Sequence, residues 1–353
     1  MIPILITSNR TKAGKVFFTI GLGQKLLQQG YKIGYIKPLG TVPVKHGHDV
    51  FDEDAVFIKE ALALGDPLSI ISPFVLTYET QNLLLEGGMK DAARPVLDAL
   101  DALKDRDFVL IHGAGDVFEG TTLNLDAGTM AKKMNARVVI VEPWRGDLSI
   151  DTILGAQKFF GEHFCGGIFN KIPENQFPHV REIVKPFIEK KGIPVYGIFK
   201  KDKILEAVTV KHLVEVLNGQ VLGCEDKLGE FVENFSIGAM DVDSALSYFR
   251  RTPNKAVITG AHRTDIQLVA LETSTKCIIL TGGLQTSDVV IGKAQAKGIP
   301  IISVETDTFT TVDKIERIMG QTMIREKGKV DRAKEVVSLE FDINKFLKCM
   351  SIS

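Results

Sequence analysis

The sequence predicts an α/β protein with two domains, each built around a mainly parallel β-sheet. Two observations lead to this fold class. Short apolar runs rich in Ile and Val alternate with amphipathic stretches along most of the chain, which is the pattern of βαβ units. The alternation pauses at residues 200–219 and then resumes, and 353 residues are too many for one ordinary core.

The first domain is predicted to contain a parallel sheet. Its apolar runs are continuous rather than alternating, because strands of a parallel sheet are covered on both faces. The predicted strands are Ile2–Ile6, Lys32–Lys37, Phe108–Ile111, Arg137–Val141, Gly166–Phe169 and Val195–Ile198. The predicted helices are Val16–Gln29, Asp54–Ala63, Met89–Lys104, Thr129–Met134, Ile150–Phe159 and His179–Lys190.

A second, shorter α/β series follows the pause in the pattern. Its predicted strands are Lys255–Thr259, Cys277–Thr281 and Ile301–Val304. Its predicted helices are Val210–Leu217, Asp243–Arg250, Thr264–Glu272, Ser287–Ala296 and Thr310–Gly320. The predicted organisation is therefore a first domain over residues 1–208, a second over residues 209–325, and a C-terminal segment of unclear role over residues 326–353.

The composition is that of an ordinary globular protein, with 44% apolar and 25% charged residues. A formal net charge of −1 and short basic runs argue against a nucleic-acid partner. No run approaches the roughly 20 apolar residues that span a bilayer, so no membrane partner is expected. The four cysteines stand far apart without a Cys-x-x-Cys pair, which predicts reduced, buried thiols and a cytoplasmic protein.

The strongest local motif is a phosphate-binding loop between the first predicted strand and the first predicted helix. It reads Ser8-Asn9-Arg10-Thr11-Lys12-Ala13-Gly14-Lys15-Val16. The amides of such a loop and the helix N-terminus point at an anion, and the lysine adds a full charge. The complete P-loop pattern is G-x-x-x-x-G-K-[ST], whereas this chain has Asn9 and Val16 at the first and last positions. The alternative interpretation is a plain strand-to-helix turn.

Further motifs follow the P-loop along the chain. They are Gly34-Tyr35-Ile36-Lys37-Pro38-Leu39-Gly40, Asp52-Glu53-Asp54-Ala55-Val56, Asp107-Phe108-Val109-Leu110-Ile111-His112-Gly113-Ala114-Gly115, Phe169-Asn170-Lys171-Ile172-Pro173, Ile237-Gly238-Ala239-Met240, His262-Arg263-Thr264 and Gly282-Gly283. With these motifs the first half resembles the dethiobiotin-synthetase-like P-loop module at the N-terminus of long-form bacterial phosphotransacetylases. The second half resembles the DRTGG domain that follows that module. The resemblance implies a P-loop NTPase-like domain followed by a smaller α/β domain, without the acetyl-transferring domain.

The resemblance also implies a nucleotide site in the first domain. Lys15 would contact the β- and γ-phosphates, Lys37 would face the same crevice, and Asn170 would lie against the adenine base. Structural alternatives remain open, with Lys37 as an end-of-strand surface residue and Asn170 as a turn or helix-cap residue. The residues that the resemblance assigns to ATP or ADP are Asn9, Lys12, Ala13, Gly14, Lys15, Val16, Lys37 and Asn170.

The sequence retains only some of the residues that the resemblance assigns to the Mg²⁺ site. The resemblance places Asp54 as a Mg²⁺ ligand, although the acidic run 52–54 can equally form the first turn of a helix. Where dethiobiotin synthetases have a second acidic Mg²⁺ ligand, this chain has His112, and a neutral imidazole is a poor ligand for that ion. Val16 offers no hydroxyl to the metal. These two changes count against Mg²⁺ and against catalysis.

A second ligand site is predicted at the strand ends of the second domain. His262, Arg263 and Thr264 follow one predicted strand, and Gly282 and Gly283 follow the next. Adjacent strand ends can form an anion-binding crevice, in which Arg263 would be a charged donor. The alternative is a pair of structural turns in which glycine is present for its backbone angles alone.

Other catalytic and metal-binding patterns are absent from the sequence or weak. There is no G-x-S-x-G and no H-E-x-x-H pattern. His46 and His48, near Asp49, lie in a glycine-containing stretch for which a flexible surface loop is expected. No cysteine has the surroundings of a glutaminase nucleophile, which counts against an amidotransferase.

Functions of different classes remain open at this stage. The first hypothesis is a nucleotide-binding regulatory or sensor protein that binds ATP or ADP at the P-loop and a second anionic ligand at the DRTGG-like domain. The resemblance links it to acetyl-phosphate metabolism, with a separate acetyl-metabolism enzyme and a second copy of the chain as candidate partners. The alternative is an ATP-dependent carboxylate-activating ligase that uses Lys15 and Lys37. A third is a scaffold in which the loop is vestigial.

Overall fold

The computed structural model describes residues 1–88, 92–284, 286–318 and 327–350. The chain forms two compact units, of which one comprises Met1–Lys201 with Ile324–Ser353 and the other comprises Asp202–Met323. Both units are α/β with mainly parallel sheets, so the predicted fold class is confirmed. In sequence, the second unit is therefore inserted between the two segments of the first.

The first unit is built on a parallel sheet of six strands. The strands of this unit are β1 (Ile2–Thr7), β2 (Ile33–Ile36), β3 (Pro43–His46), β4 (Asp49–Asp52), β5 (Phe108–His112), β6 (Arg137–Pro143), β7 (Phe164–Ile172) and β8 (Val195–Lys200). The sheet order is β2-β5-β1-β6-β7-β8, and β3 pairs with β4 as a separate antiparallel hairpin. Because β1 lies centrally between β5 and β6, its carboxyl end opens at the middle of the sheet edge, where open α/β sheets bind ligands.

Helices cover both faces of this sheet. They are α1 (Lys15–Gln28), α2 (Glu53–Ala61), α3 (Leu68–Ile71), α4 (Tyr78–Leu85), α5 (Ala93–Ala102), α6 (Ala127–Lys133), α7 (Ser149–Phe160), α8 (Phe177–His179) and α9 (Lys185–Glu189). The first predicted residues of the helix Met89–Lys104, residues 89–91, lie outside the described residues. None of the described helices combines the length and apolar character that crossing a bilayer requires.

Two local predictions for the first unit were wrong. The helix predicted over His179–Lys190 is divided, because a π-helical stretch, Val180–Val184, separates α8 from α9. Pro186 lacks the N–H that would continue regular α-helical bonding there. His46 and His48 do not lie in a loop without regular structure, since His46 ends β3 and His48 belongs to the tight turn before β4. Both strands are largely exposed, so the sequence carries no apolar alternation to reveal them.

The second unit has a five-stranded sheet of order β10-β15-β14-β13-β12. Neighbours from β12 to β15 are parallel, and β10 pairs antiparallel with β15. The strands are β9 (Val208–Thr209), β10 (Gln220–Val221), β11 (Phe231–Val232), β12 (Asn234–Ile237), β13 (Lys255–Gly260), β14 (Thr275–Thr281) and β15 (Ile301–Ser303). The helices are α10 (Lys203–Glu206), α11 (Val210–Leu217), α12 (Val242–Arg251), α13 (Thr264–Leu271), α14 (Asp288–Lys297) and α15 (Thr308–Ile318).

The C-terminal segment forms two helices that pack on the first unit, α16 (Lys327–Glu340) and α17 (Ile343–Met350). α16 lies so close to α1 that a Cβ at Gly21 would come within 2.3 Å of Val337. The ammonium of Lys25 donates to the carbonyls of Ser338 and Phe341, both at 2.8 Å. The segment therefore covers the helix that begins at the phosphate loop.

Candidate functional site

The phosphate loop connects the carboxyl end of β1 to the N-terminus of α1. Lys12, at φ 58°, and Gly14, at φ 101°, adopt left-handed backbone angles within it. Glycine is required at position 14, because a Cβ there would lie 2.1 Å from Nδ2 of Asn170. No side chain caps the N-terminus of α1. The first-turn amides of such a helix have no intrahelical acceptor, which is the arrangement that binds anions.

Lys15 places a buried cation over this loop. Lys15 is only 7% exposed. Its Nζ donates to Ser8 Oγ at 2.9 Å and to the Gly115 carbonyl at 2.8 Å. Burial, reinforced by the charge of Lys37, lowers the pKa of Lys15 to about 8, although nearby carboxylates oppose this. Both hydrogen-bond acceptors are neutral. The ammonium is therefore poorly compensated in this conformation, and an anionic ligand would stabilise it.

Lys37 follows β2 and reaches the same sheet edge. It is 4% exposed, so it is not the surface residue of the alternative interpretation. Its Nζ lies 2.8 Å from Asp52 Oδ1 and 2.8 Å from Asp54 Oδ2. Burial lowers the pKa of Lys37, but Asp54 and Asp52 together outweigh burial and raise it. Lys37 is therefore a compensated cation, in contrast to Lys15.

The acidic run 52–54 lies at the start of a helix, which is one of the two interpretations that the sequence left open. Asp52 is the N-cap of α2, and its Oδ1 accepts from the amides of Asp54 and Ala55 at 2.9 and 3.2 Å. Its Oδ2 accepts from the amides of Thr41 and Val42 at 2.9 and 3.1 Å. The ion pair of Asp52 with Lys37 was not predicted. An N-cap position before a helical pattern was the available signal for the buried role of Asp52.

The positions that would organise Mg²⁺ are His112, Val16 and Asp54. His112 ends β5 and is 3% exposed, and burial, then Lys37 and Lys15, hold the pKa of its imidazole well below the usual value. The ring is therefore neutral, and Val16 supplies no oxygen. Asp54 already pairs with Lys37. Within the described residues, no three His, Cys, Asp or Glu side chains converge as a metal site. These donors do not fit Mg²⁺.

Two asparagine side chains connect the loop to neighbouring elements of the first unit. Asn170, in β7, donates through Nδ2 to the Ala13 carbonyl at 2.9 Å. Asn9 donates through Nδ2 to Thr152 Oγ1, in α7, at 3.1 Å. In this conformation the amide of Asn170 supports the loop backbone, so contact with an adenine base would require its rearrangement.

Several buried polar atoms near this edge have no hydrogen-bond partner in the described part of the chain. They are Thr7 Oγ1, Asn9 Oδ1, Tyr35 Oη and Glu142 Oε2. The other carboxylate oxygen of Glu142 accepts from Arg145 Nη2 at 3.1 Å. Buried polar atoms without partners call for an explanation such as a ligand or bound water. Sequence reasoning gave no role to Thr7, Tyr35 or Glu142, because each is a single polar residue within or directly after an apolar strand pattern.

In the second unit, the predicted residues lie at the ends of neighbouring parallel strands. His262, Arg263 and Thr264 follow β13, and Gly282 and Gly283 follow β14 with φ values of 94° and 67°. The guanidinium of Arg263 donates to the carbonyl of Met240 at 2.9 Å and to the carboxylate of Asp265 at 2.9 and 3.0 Å. Arg263 is therefore already paired, and a ligand would have to compete with Asp265.

Comparison with known proteins identifies both halves of the chain. A model described as an AAA domain matches residues 3–209, and a model described as a DRTGG domain matches residues 212–318. The phosphate acetyltransferase of Synechocystis sp. is 22% identical over 362 residues, which cover 98% of this chain and 51% of that protein. The chain thus spans about half the length of the phosphate acetyltransferases that it matches.

Shorter similarities involve further proteins. The uncharacterized protein YtoI of Bacillus subtilis is 32% identical over 128 residues, covering 36% of this chain and 28% of that protein. The ATP-dependent dethiobiotin synthetase BioD of Aquifex aeolicus is 29% identical over 141 residues, covering 39% of this chain and 61% of that protein. The predicted relationship to phosphotransacetylase and dethiobiotin synthetase is confirmed.

Proposed function

The chain belongs to the AAA domain family, and from this premise we propose that it is a nucleotide-binding regulatory or sensor protein. The P-loop of the first unit would bind ATP or ADP. The observation that carries the proposal is Lys15, a buried ammonium with only neutral hydrogen-bond acceptors, placed beside an uncapped helix N-terminus. A polyphosphate would supply the missing negative charge to Lys15 and acceptors to the first-turn amides.

The same site favours binding over phosphoryl transfer. Phosphoryl transfer depends on metal ions and cations that neutralise charge as it develops. Val16 has no hydroxyl, His112 is neutral and carries no negative charge, and Asp54 is engaged by Lys37. Lys37 itself is compensated by two carboxylates. A nucleotide would therefore be held mainly by backbone amides and Lys15.

A second candidate function is an ATP-dependent ligase that activates a carboxylate. The observation that favours it is the burial of Lys37 at the same sheet edge as Lys15, close enough for its charge to lower the pKa of Lys15. Two lysines facing one crevice could stabilise a transferred phosphoryl group. The similarity to a dethiobiotin synthetase supports this alternative.

The cellular setting is also part of the proposal. The relationship to phosphate acetyltransferases suggests a role in acetyl-phosphate metabolism, in the cytoplasm. The proposed partner is a separate acetyl-metabolism enzyme. The chain itself is proposed to assemble as a homo-oligomer. The second unit would bind a small anion at His262, Arg263, Thr264 and the glycine pair 282–283. Arg263 would exchange Asp265 for that anion.

Calorimetric titration with ATP and ADP, with and without Mg²⁺, separates these functions. The regulator predicts binding that depends little on Mg²⁺ and no turnover. The ligase predicts binding that requires Mg²⁺, with ADP production when a carboxylate substrate is present. The double variant Val16→Thr/His112→Glu should introduce Mg²⁺ dependence, because it adds a hydroxyl and a carboxylate where the family resemblance places metal ligands. Absence of binding heat under every condition would refute both functions.

A further inference from the structure

Cys165 and Cys349 lie together although 184 positions separate them in the sequence. Cys165 is the second residue of β7 and is 4% exposed, whereas Cys349 lies in α17 and is half-buried. The Sγ of Cys349 donates to the carbonyl oxygen of Cys165 at 3.5 Å, and the two thiols are near enough to shift each other's pKa. The prediction of buried thiols was therefore wrong for Cys349 and also for Cys224, whereas Cys165 and Cys277 are buried. The sequence offered no signal for the pair because no short spacing connects the two residues.

The surroundings of the pair give its members different reactivity. The hydrogen bond from Cys165 lowers the pKa of the Cys349 thiol, burial opposes this, and Tyr196 and Arg137 lower the pKa further. The same hydrogen bond and burial raise the pKa of Cys165. The hydroxyl of Tyr196 also donates to the Cys165 carbonyl at 2.6 Å, which fixes the ring beside the pair. Cys349 is also the more exposed of the two, so a small disulfide reaches its thiol first, and the lower pKa favours Cys349 as the attacking thiol and Cys165 as the resolving one.

We propose that Cys165 and Cys349 are a reversible oxidation site at which a low-molecular-weight disulfide forms a bond between β7 and α17. Cys349 Sγ attacks one sulfur of the small disulfide, whose S–S bond breaks and releases one thiolate. Cys165 then loses its proton to the released thiolate, and its Sγ attacks Cys349 Sγ, releasing the second small thiolate, which takes a proton from solvent. The two cysteines lose two electrons, and the small disulfide gains them as two thiols.

The bond would secure the C-terminal segment on the first unit. α17 follows α16, which is held against α1 by the contact of Val337 with Gly21 and by the hydrogen bonds from Lys25. α17 adds a salt bridge between Lys345 and Glu189. A covalent link at Cys349 would prevent this segment from leaving α1, the helix that begins at the phosphate loop. The oxidation does not depend on nucleotide binding.

The test uses the full chain, oxidised glutathione and peptide mass spectrometry under native conditions. A disulfide between Cys165 and Cys349 should form, and reduction with dithiothreitol should reverse it. Cys224 is the matched control, because it is also half-buried but burial raises the pKa of its thiol. The variant Cys349→Ser should abolish the crosslink, and Cys224→Ser should leave it unchanged. In the reduced protein, iodoacetamide should modify Cys349 on the order of tenfold faster than Cys224 at pH 7.

Two further results decide the proposal. Limited proteolysis of the oxidised protein should cleave residues 327–350 more slowly than in the reduced protein, and the Cys349→Ser variant should show no such difference. Glutathione that stays on Cys349 without passing to Cys165 would overturn the proposal, as would equal alkylation rates for Cys349 and Cys224. A crosslink that leaves the proteolysis rate unchanged would overturn the role assigned to it.

Discussion

Replacing Lys15 by Met should stabilise the free protein and abolish its response to nucleotide. The ammonium of Lys15 is buried and donates only to the neutral oxygens of Ser8 and Gly115. The charged form of Lys15 therefore destabilises the folded protein as long as no anion is bound. Met has a similar length and no charge, so it can occupy the same space with little change in packing.

The expected gain follows from the pKa of Lys15, which burial and Lys37 lower from the ordinary value of 10.5 to about 8. That lowering corresponds to about 3 kcal/mol against the charged form in the folded protein. Loss of the hydrogen bonds to Ser8 and Gly115 offsets about 1–3 kcal/mol of this. The free energy of unfolding should therefore rise by about 1 kcal/mol at pH 7 in the Lys15→Met variant.

The stability difference between Lys15→Met and the wild type should depend on pH. Because the pKa of Lys15 is lower in the folded protein than in the unfolded chain, the unfolded chain binds more protons between pH 8 and 10.5. The contribution of Lys15 to wild-type stability therefore improves as pH rises through this window. The advantage of Lys15→Met should be fully present below pH 8 and should disappear by about pH 10.5.

Urea unfolding at pH 7 and pH 10, with and without ADP, measures these effects. ADP at 100 times its dissociation constant should stabilise the wild type by about 2.7 kcal/mol and the Lys15→Met variant by far less. Lys12→Met is the matched control for the protein without ADP, since Lys12 is exposed in the same loop and its loss should leave unfolding of the free protein nearly unchanged. A Lys15→Met variant that is less stable than the wild type at pH 7, or that ADP stabilises equally, would refute the reasoning.

Three further substitutions test separate parts of the structure. Glu119→Gln should tighten ADP binding several-fold by calorimetry, because the Glu119 carboxylate acts on the phosphate-loop lysine and repels an anion there; weaker binding would contradict this. Gly14→Ala should lower the free energy of unfolding by about 1–3 kcal/mol, from backbone strain and the clash with Asn170; an unchanged denaturation midpoint would contradict this. Gly21→Val should expose residues 327–350 to protease by clashing with Val337, and adding Val337→Ala should partly restore protection; wild-type resistance in the single variant would argue against the packing of α16 on α1.

Most of the fold could be predicted because its strands are continuous apolar runs. Ile2–Thr7 and Arg137–Pro143 are central strands, and burial on both faces makes such runs visible in a sequence. The hairpin Pro43–Asp52 was missed because most of its residues are exposed. The position of α16 could not be predicted because its partner helix, α1, lies some 300 residues earlier in the chain, and no local pattern encodes that contact.

The part of the candidate site that one sequence motif defines could be predicted. The part that tertiary contacts define could not. The pattern around Gly14 and Lys15 indicates a phosphate loop from sequence alone. The compensation of Lys37 by Asp52 depends on how the segment after β2 returns to the sheet, which spacing does not reveal. The hydrogen bond from Asn170 to the loop likewise joins residues 157 positions apart.

The most direct test of nucleotide binding at the P-loop is a crystal structure of the protein soaked in excess ADP. We predict a diphosphate against the amides at the N-terminus of α1, with Lys15 Nζ moved from the Gly115 carbonyl onto a phosphate oxygen. A loop without bound diphosphate, in which Lys15 still donates to Ser8 and Gly115, would contradict the central claim.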